Sequence, residues 1–570
     1  MDEQQRNLFI AIALSLAILL FFQFFFAPKP VPQQQVAQQQ QTTPVAPAKP
    51  APAAPGFEGT APANAGPRES VLQESPRAKV DTPSLNGSID LVGSRLDDLT
   101  LVKYHEEIDP KSPQIVLLAP DGTATPYFVE LGWVASDPSV KVPGNDTHWT
   151  SGGGELTSDH PLTLTWDNGA GLIFERTIAV DQDYMFTVTQ SVQNHGATPV
   201  TLYPYGLVSR SGLVPVSTTY LLHEGPIGVF NGTLEDGIKY DALKSGEKDF
   251  TSTGGWMGFT DKYWLVTLIP NQDEAVKARM RARPSDDTEI YQVDFTGAEH
   301  VAPPGGSVQD STRVFAGAKE VSLLDKYEAE GVPRFDRAID FGWFYFLTKP
   351  IFLTLDLFYH WLGNFGLAIM LLTVLIKLIF FPLANKSYRA MSKMKLLQPE
   401  IAKLRERYPD DKAKLNQEMM ALYKRVGANP MAGCLPIAIQ IPVFFSLYKT
   451  LYVTIEMRHA PFYGWIHDLS VPDPTTFVNL FGLLPFTPPN ISFLHIGAWP
   501  LIMGCTMFLQ QKLNPQPPDP MQAKMFMILP VVFTVMLAPF AAGLVIYWSW
   551  NNLLSIAQQW VIMRRAGATK

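Results

Sequence analysis

The chain contains 570 residues, of which 46% are hydrophobic, and its formal net charge at pH 7 is −8. This length allows several domains, and the acidic balance argues against a protein that binds nucleic acid through a basic surface. Both cysteines, Cys434 and Cys505, lie in apolar stretches, so we expect no disulfide framework. Apolar residues concentrate at the N-terminus and in the last third of the chain, whereas the middle is typical of a soluble domain.

The N-terminal region predicts a membrane anchor followed by a tether. Residues 8–27 form an apolar run that matches the ~20 residues a helix needs to cross a bilayer. A cleaved signal peptide is the alternative, but phenylalanines at 24–26 occupy the place where a cleavage site needs small residues. We therefore expect an uncleaved anchor over residues 1–27. Residues 28–83, rich at first in Pro, Ala and Gln, predict a disordered tether.

Residues 84–335 have the pattern of an antiparallel β domain. Residues 162–166 alternate between apolar and polar, and the Asp-Asn-Gly sequence that follows is a turn signal. Further strands are expected at 173–180 and 186–192. Repeated short strands and turns of this kind predict a large β-sandwich.

The last third of the chain predicts an interfacial helix and a group of membrane spans. Residues 336–362 are dense in aromatic side chains, which favour the headgroup layer, although Lys349-Pro350 is expected to interrupt the helix. The alternative is that this segment is part of a longer span. Five spans are predicted at about 364–383, 433–453, 496–510, 525–540 and 543–563. With the N-terminal anchor, this makes six spans.

Charge predicts the orientation of these spans. Between residues 384 and 430 there are 11 basic and 5 acidic side chains, so this segment should be cytoplasmic. Residues 454–495 contain Arg458 as their only Lys or Arg, which is typical of the opposite side. We therefore expect both termini, including a short tail at 566–570, in the cytoplasm and the β domain outside it.

Polar side chains inside the predicted spans indicate a hydrated groove. Lys377 lies within the second span, where a cation costs at least about 2.5–3.5 kcal/mol at the centre of a bilayer. It should face a bundle interior or a wet cavity, and snorkelling to the cytoplasmic surface is the alternative. Gln440, Thr506 and Tyr547 place further polar groups in other spans. These groups either line a groove with water or join the helices by hydrogen bonds.

The cytoplasmic segment 384–428 predicts a helical hairpin. Two apolar stripes at helical spacing are formed by Met394, Leu397, Ile401 and Leu404, and by Leu415, Met419 and Leu422. The stripes most simply pack against each other. The alternative is a flexible surface that contacts partner chains through methionines at 391, 394, 419 and 420.

Signals for catalysis and cofactor binding are absent from the sequence. There is no phosphate-binding loop, no H-E-x-x-H and no G-x-S-x-G motif. The histidines of the β domain show no metal-ligand spacing. We therefore expect neither an enzyme nor a resident metal or cofactor.

Eight short motifs, in order over about residues 335–565, carry a resemblance to a known family. They lie at 363–366, 391–399, 417–424, 429–436, 460–462, 465–470, 519–522 and 543–547. The chain resembles the YidC family of bacterial membrane protein insertases in its long Gram-negative form. The resemblance implies a five-helix insertase core in the inner membrane, with a hydrophilic groove open to cytoplasm and lipid, and a periplasmic β-supersandwich.

The resemblance also suggests which residues form the groove. Lys377 matches a position that usually carries arginine, so the charge is kept but the planar fork of donors is lost. Thr373, Gln440 and Tyr547 match groove positions, and Trp548 stands where a second tyrosine is often found.

The implied function is insertion of nascent membrane proteins, alone or with the Sec translocon. The ribosome, the signal-recognition pathway and membrane lipids are the further partners that the resemblance suggests. The alternatives are a transporter of small solutes and a membrane-anchored periplasmic enzyme that binds sugars. A transporter would require acid–base pairs or repeat symmetry in the spans, and neither is evident.

Overall fold

A computed structural model describes residue 54 and residues 65–211, 222–283, 289–409, 411–427, 435–484, 486, 495–514 and 520–565. These all belong to one compact unit of the chain, residues 51–570. The predicted anchor, most of the predicted tether and the C-terminal tail lie outside the described residues.

The N-terminal half of the described chain forms two antiparallel sheets. In chain order, strands β1–β19 are Arg77–Asp81, Leu85–Asp90, Leu96–His105, Gln114–Leu118, Tyr127–Ala135, Thr150–Ser151, Leu162–Asp167, Leu172–Val180, Met185–Asn194, Val200–Ser211, Gly225–Phe230, Thr233–Glu235, Lys248–Thr253, Trp256–Thr260, Trp264–Ile269, Ala275–Arg283, Ile290–Thr296, His300–Ala302 and Ser307–Ala318. The first sheet has the order β1-β2-β3-β5-β10-β17-β16-β13, with β4 beside β3 and β18 beside β10. The second has the order β12-β11-β14-β15-β19-β9-β8-β7-β6. The predicted antiparallel β domain is confirmed.

Alternation of side chains explains how the sheets pack. In β8, buried and half-buried residues alternate along the whole strand. Phe174 of this strand and Leu99 of the first sheet belong to one continuous hydrophobic core. Apolar faces of the two sheets are therefore buried against each other. The inward position between Phe174 and Ile178 is occupied by a charged residue, Arg176, which is only 3% exposed.

The predicted tether is too long at its C-terminal end. Residues Arg77–Asp81 form β1, which pairs with β2 from Arg77↔Asp90 to Asp81↔Asn86. The buried side chains of Ala78 and Val80 alternate with exposed ones, so this short stretch joins the sandwich despite its charged residues.

The described helices α1–α12 are Arg68–Val71, Tyr240–Lys244, Val321–Ala329, Tyr345–Leu362, Phe365–Ile379, Phe381–Leu396, Gln398–Arg407, Lys412–Val426, Leu435–Val453, Ala498–Leu513, Pro520–Leu537 and Ala542–Arg565. Short 3₁₀ turns cover Phe335–Ala338, Ile455–Met457 and Phe477–Gly482. By length and apolar composition, no single described helix qualifies as a membrane span, whereas α5 and α6 qualify together as a pair bent by 69°. The six spans remain a prediction.

Two details of the helical predictions differ from the structure. The expected helix over 364–383 ends at Ile379, and α6 starts afresh with Pro382 in its first turn, where a missing N–H is tolerated. Conversely, Lys349-Pro350 does not interrupt α4, which continues through Pro350 to Leu362.

The first residues of the predicted interfacial segment and of the predicted hairpin also belong to other parts of the structure than expected. Ala338 and Phe341 are buried in the core of the β domain, so the first part of 336–362 packs with the sandwich. The hairpin itself consists of α7 and α8, while residues 384–396 belong to α6. Its two apolar stripes pack against each other through Leu397, Ile401 and Leu422.

Polar contacts join the β domain to the segment around the end of α9. Lys449 Nζ lies 2.8 Å from Asp340 Oδ2. The guanidinium of Arg458 donates to the carbonyl of His105 at 2.6 Å. Glu456 Oε1 accepts a hydrogen bond from the backbone N–H of Val321, the first residue of α3, at 2.9 Å. Lys449, which is only 3% exposed, is a buried lysine that was not predicted from the sequence.

The buried Glu456 makes this junction sensitive to pH. Burial raises the pKa of its carboxyl to about 7, with smaller contributions from the carboxylates of Glu320 and Asp356. The pKa in the folded protein is therefore above that in the unfolded chain. Between these two values the folded state binds more protons, so its stability falls as pH rises.

We expect Glu456→Gln to reduce this pH dependence. The amide keeps an oxygen that can accept from the N–H of Val321, but it has no proton to lose. Melting temperature measured from about pH 5 to about pH 8 should fall less steeply in the variant than in the wild type. Substitution of the exposed Glu107 by Gln should leave the slope unchanged. Equal slopes in all three proteins would contradict this assignment.

Candidate functional site

The candidate site is centred on Lys377 in the last turn of α5. This helix is capped at its N-terminus by Asn364, whose side chain accepts a hydrogen bond from the backbone N–H of Leu367 at 3.1 Å. Lys377 Nζ donates to Ser555 Oγ on α12 at 2.7 Å, and Ser555 donates to the carbonyl of Asn551 at 2.7 Å. Among the described residues, no carboxylate forms an ion pair with Lys377. The cation is therefore held by a hydroxyl and keeps donors free for other groups.

A cavity of about 50 Å³ adjoins Lys377. Residues of α5, α6, α9 and α12 line it, and its polar side chains are Lys377, Tyr388, Gln440 and Gln558. Within the described chain, the amide nitrogen of Gln558 has no hydrogen-bond partner. The space has room for roughly three or four water molecules, and its polar groups suit them. It is far too small for a polypeptide segment.

Gln440 and Tyr547 form one side of this site. The amide nitrogen of Gln440 on α9 donates to the hydroxyl of Tyr547 on α12. Tyr547 is only 2% exposed and packs in a core with Leu372 and Leu447. The bond gives both polar groups a partner across two helices, as burial requires.

Tyr547 does not itself line the cavity, and neither do the other three predicted groove residues, Thr373, Thr506 and Trp548. Thr373 is buried and donates to the carbonyl of Ile369 in its own helix at 2.7 Å. Thr506 Oγ1 donates to the carbonyl of Met503 at 2.8 Å and accepts from Asn552 at 3.3 Å. The ring of Trp548 packs edge-on against Phe444, with 4.6 Å between ring centroids. These side chains join helices or pack in the core.

Sequence reasoning missed Ser555 and Tyr388. Ser555 could have been found from spacing alone, because Tyr547, Asn551, Ser555 and Gln559 recur every four residues and share one face of α12. Tyr388 carried no such signal, because it lies in the segment 384–428 that the charge pattern predicts to be cytoplasmic.

The four methionines predicted to contact client chains differ in exposure. Met391 is buried with Tyr388 and Ile562 between α6 and α12. Met394 and Met419 pack against the core of the α7–α8 hairpin. Only Met420, 50% exposed, faces outward. Among these four, Met420 alone can meet a partner without rearrangement.

Comparison with known proteins relates both halves of the chain to one family. Residues 77–354 match the family described as YidC periplasmic domain, and residues 357–569 match the family described as 60Kd inner membrane protein. The chain is 50% identical to the membrane protein insertase YidC of Methylobacterium sp. (strain 4-46), over 100% of this chain and 96% of that relative. It is 52% identical to the membrane protein insertase YidC of Granulibacter bethesdensis, over 98% of each chain. A solved crystal structure of an active YidC insertase has 17% identity and a TM-score of 0.35, covering 85% of this chain and 94% of its own.

The two-sheet domain, the helical region and the two family matches define an inner-membrane protein with a periplasmic domain. Neither of the two relatives named above is a transporter or a sugar-converting enzyme. The chain belongs to the YidC family of membrane protein insertases.

Proposed function

We propose that this protein inserts nascent membrane proteins into the inner membrane, and that the space beside Lys377 is where a client's polar segment begins its passage. The observation that carries the proposal is the cavity shared by Lys377, Gln440 and Gln558. The full-length relatives named membrane protein insertase support the same function.

The physical basis is the cost of moving polar groups through hydrocarbon. Each charged residue of a client meets a barrier of a few kcal/mol or more. A hydrated space part-way into the bilayer shortens the path that the client's polar segment must cross through water-free hydrocarbon. Lys377 Nζ has three donors, of which one goes to Ser555, so the others can bind water or a client carboxylate.

The client's own apolar helix supplies the driving force. This helix moves from the groove into the lipid along the side of the groove that is open to the bilayer. The membrane potential assists the transfer of acidic segments outward. No nucleotide is required. In this proposal the protein has six spans and cytoplasmic termini, and the α7–α8 hairpin receives clients on the cytoplasmic side through surface that includes Met420.

The proposal extends to partners that deliver clients. The Sec translocon, the ribosome and the signal-recognition pathway are the partners that fit a cytoplasmic entrance and a lateral exit. Among the predicted groove residues, Lys377, Gln440 and Tyr547 form the contact region, while Thr373, Thr506 and Trp548 support the helices around it.

Site-specific crosslinking tests this placement. A photoreactive residue at Gln440 should capture a ribosome-stalled client in membrane vesicles. The same residue at Ile441 should capture it much less, because this neighbour on α9 is 61% exposed on the outer surface of the bundle. Equal capture at both positions would place the client elsewhere.

A further inference from the structure

The interior of the β-sandwich contains an arginine without an ion pair. Arg176 extends from β8 and donates to the side-chain oxygen of Gln190 on the paired strand β9 at 2.9 Å. It also donates to the carbonyl of Ser94 at 3.0 Å and to that of Leu131, both belonging to the opposite sheet region. Its guanidinium lies 4.9 Å from the ring centre of Trp149. Within the described chain, no carboxylate forms an ion pair with it.

The buried carboxylate nearest in its electrostatic effect on Arg176 is engaged by other groups. Glu130 is the buried carboxylate that acts electrostatically on Arg176. However, Glu130 is already bound by Arg95 at 2.8 Å and by the Tyr205 hydroxyl at 2.7 Å. Burial lowers the pKa of Arg176 to about 10, so it remains protonated at neutral pH. An uncompensated buried charge is costly.

Unused hydrogen-bond donors surround the same guanidinium. In the described residues, no partner exists for Arg176 Nε, Gln190 Nε2, Trp149 Nε1 or the Ser94 hydroxyl. The first three can only donate, and the hydroxyl can donate. Buried donors normally have partners, so four in one place point to a missing acceptor.

A small cavity adjoins two of these donors. Its volume is about 20 Å³, and Ser94 and Arg176 are its polar lining residues beside apolar ones such as Leu96 and Phe186. The space fits one particle of about the size of a water molecule. A water molecule there could accept from these donors, but it would leave the charge of Arg176 without a counter-ion. An anion can accept from Arg176 and from the Ser94 hydroxyl, and it also neutralises the charge.

We propose that this cavity binds a halide ion, chloride under physiological conditions, between Arg176 and the Ser94 hydroxyl. The ion joins the two sheets of the periplasmic domain by accepting hydrogen bonds from Arg176 and from the Ser94 hydroxyl. It is a structural site, separate from the space beside Lys377, and it stabilises the folded state in proportion to its occupancy.

Thermal unfolding of the full chain in detergent tests the site. In sodium chloride the melting temperature should exceed that in sodium gluconate of equal ionic strength by about 2–4 °C, and bromide should act like chloride. Arg176→Met should abolish the difference. Arg313→Met, which changes a half-buried arginine in the same sheet, should retain it. Equal melting temperatures of the wild type in both salts, or an unchanged halide effect in Arg176→Met, would overturn the proposal.

A second measurement applies to the wild type if Arg176→Met fails to fold. Crystals of the full chain grown with sodium bromide should show anomalous scattering beside the guanidinium of Arg176. A water molecule there without an anomalous signal would refute halide binding.

Discussion

Replacing Lys377 by alanine should reduce insertion of a client with an acidic translocated segment by about tenfold. That factor corresponds to about 1.4 kcal/mol, roughly half of the lower cost of a charge at the centre of a bilayer. The barrier to insertion should rise by less than the full cost, because the alanine variant still has the polar groups of Gln440 and Gln558 beside the cavity. The initial rate of insertion into vesicles containing the purified variant measures this effect.

Lys377→Arg is the matched control, because it keeps the charge while changing the geometry of the donors. It should insert the acidic client at close to the wild-type rate. With a client whose translocated segment is neutral, the insertion rates of the variants should differ much less. If alanine, arginine and lysine at this position insert both clients equally, the cation has no part in the mechanism.

Gly258→Ala should destabilise the periplasmic domain by about 3 kcal/mol, the upper end of the usual cost of overpacking. Gly258 lies in β14, where every residue is buried. A Cβ atom there would overlap the carbonyl oxygen of Val266 and lie 2.7 Å from the Cα of Thr267, both in the paired strand β15. Because the obstacle is backbone, no side-chain rotation relieves it. Chemical unfolding of the full chain, followed by tryptophan fluorescence, measures the loss.

Gly237→Ala is the control for this substitution. A Cβ atom at Gly237 would meet nothing within 4 Å. Its effect should stay within about 0.5 kcal/mol, as for most surface changes. If Gly258→Ala lost as little stability as Gly237→Ala, then β14 and β15 could shift to accommodate the added Cβ atom.

Strands were predictable from the sequence where their pairing is local. The turn at 167–169 joins β7 to β8, and the alternation on either side fixes which faces are buried. The order of the sheets was not predictable. β10, for example, pairs with β5 on one side and with β17 on the other, and these partners are far away in sequence. No local pattern encodes such pairings.

The site was likewise predictable only where its features are local in sequence. Lys377 stood out because a cation in an apolar helix is costly wherever its partners lie. Its contact with Ser555 depends on how α5 and α12 pack, which spacing within one helix does not specify. Thr373 and Thr506 looked like groove residues, yet each satisfies its hydroxyl on a backbone carbonyl of its own helix. Intrahelical bonding of this kind is open to any threonine in a helix.

The small volume of the cavity beside Lys377 has a consequence for the surrounding lipid. Because about 50 Å³ cannot admit a peptide backbone, the proposed entry of a client beside Lys377 requires the four helices around the cavity to separate. Lateral pressure from the acyl chains opposes that separation, so bilayer elasticity contributes to the activation barrier.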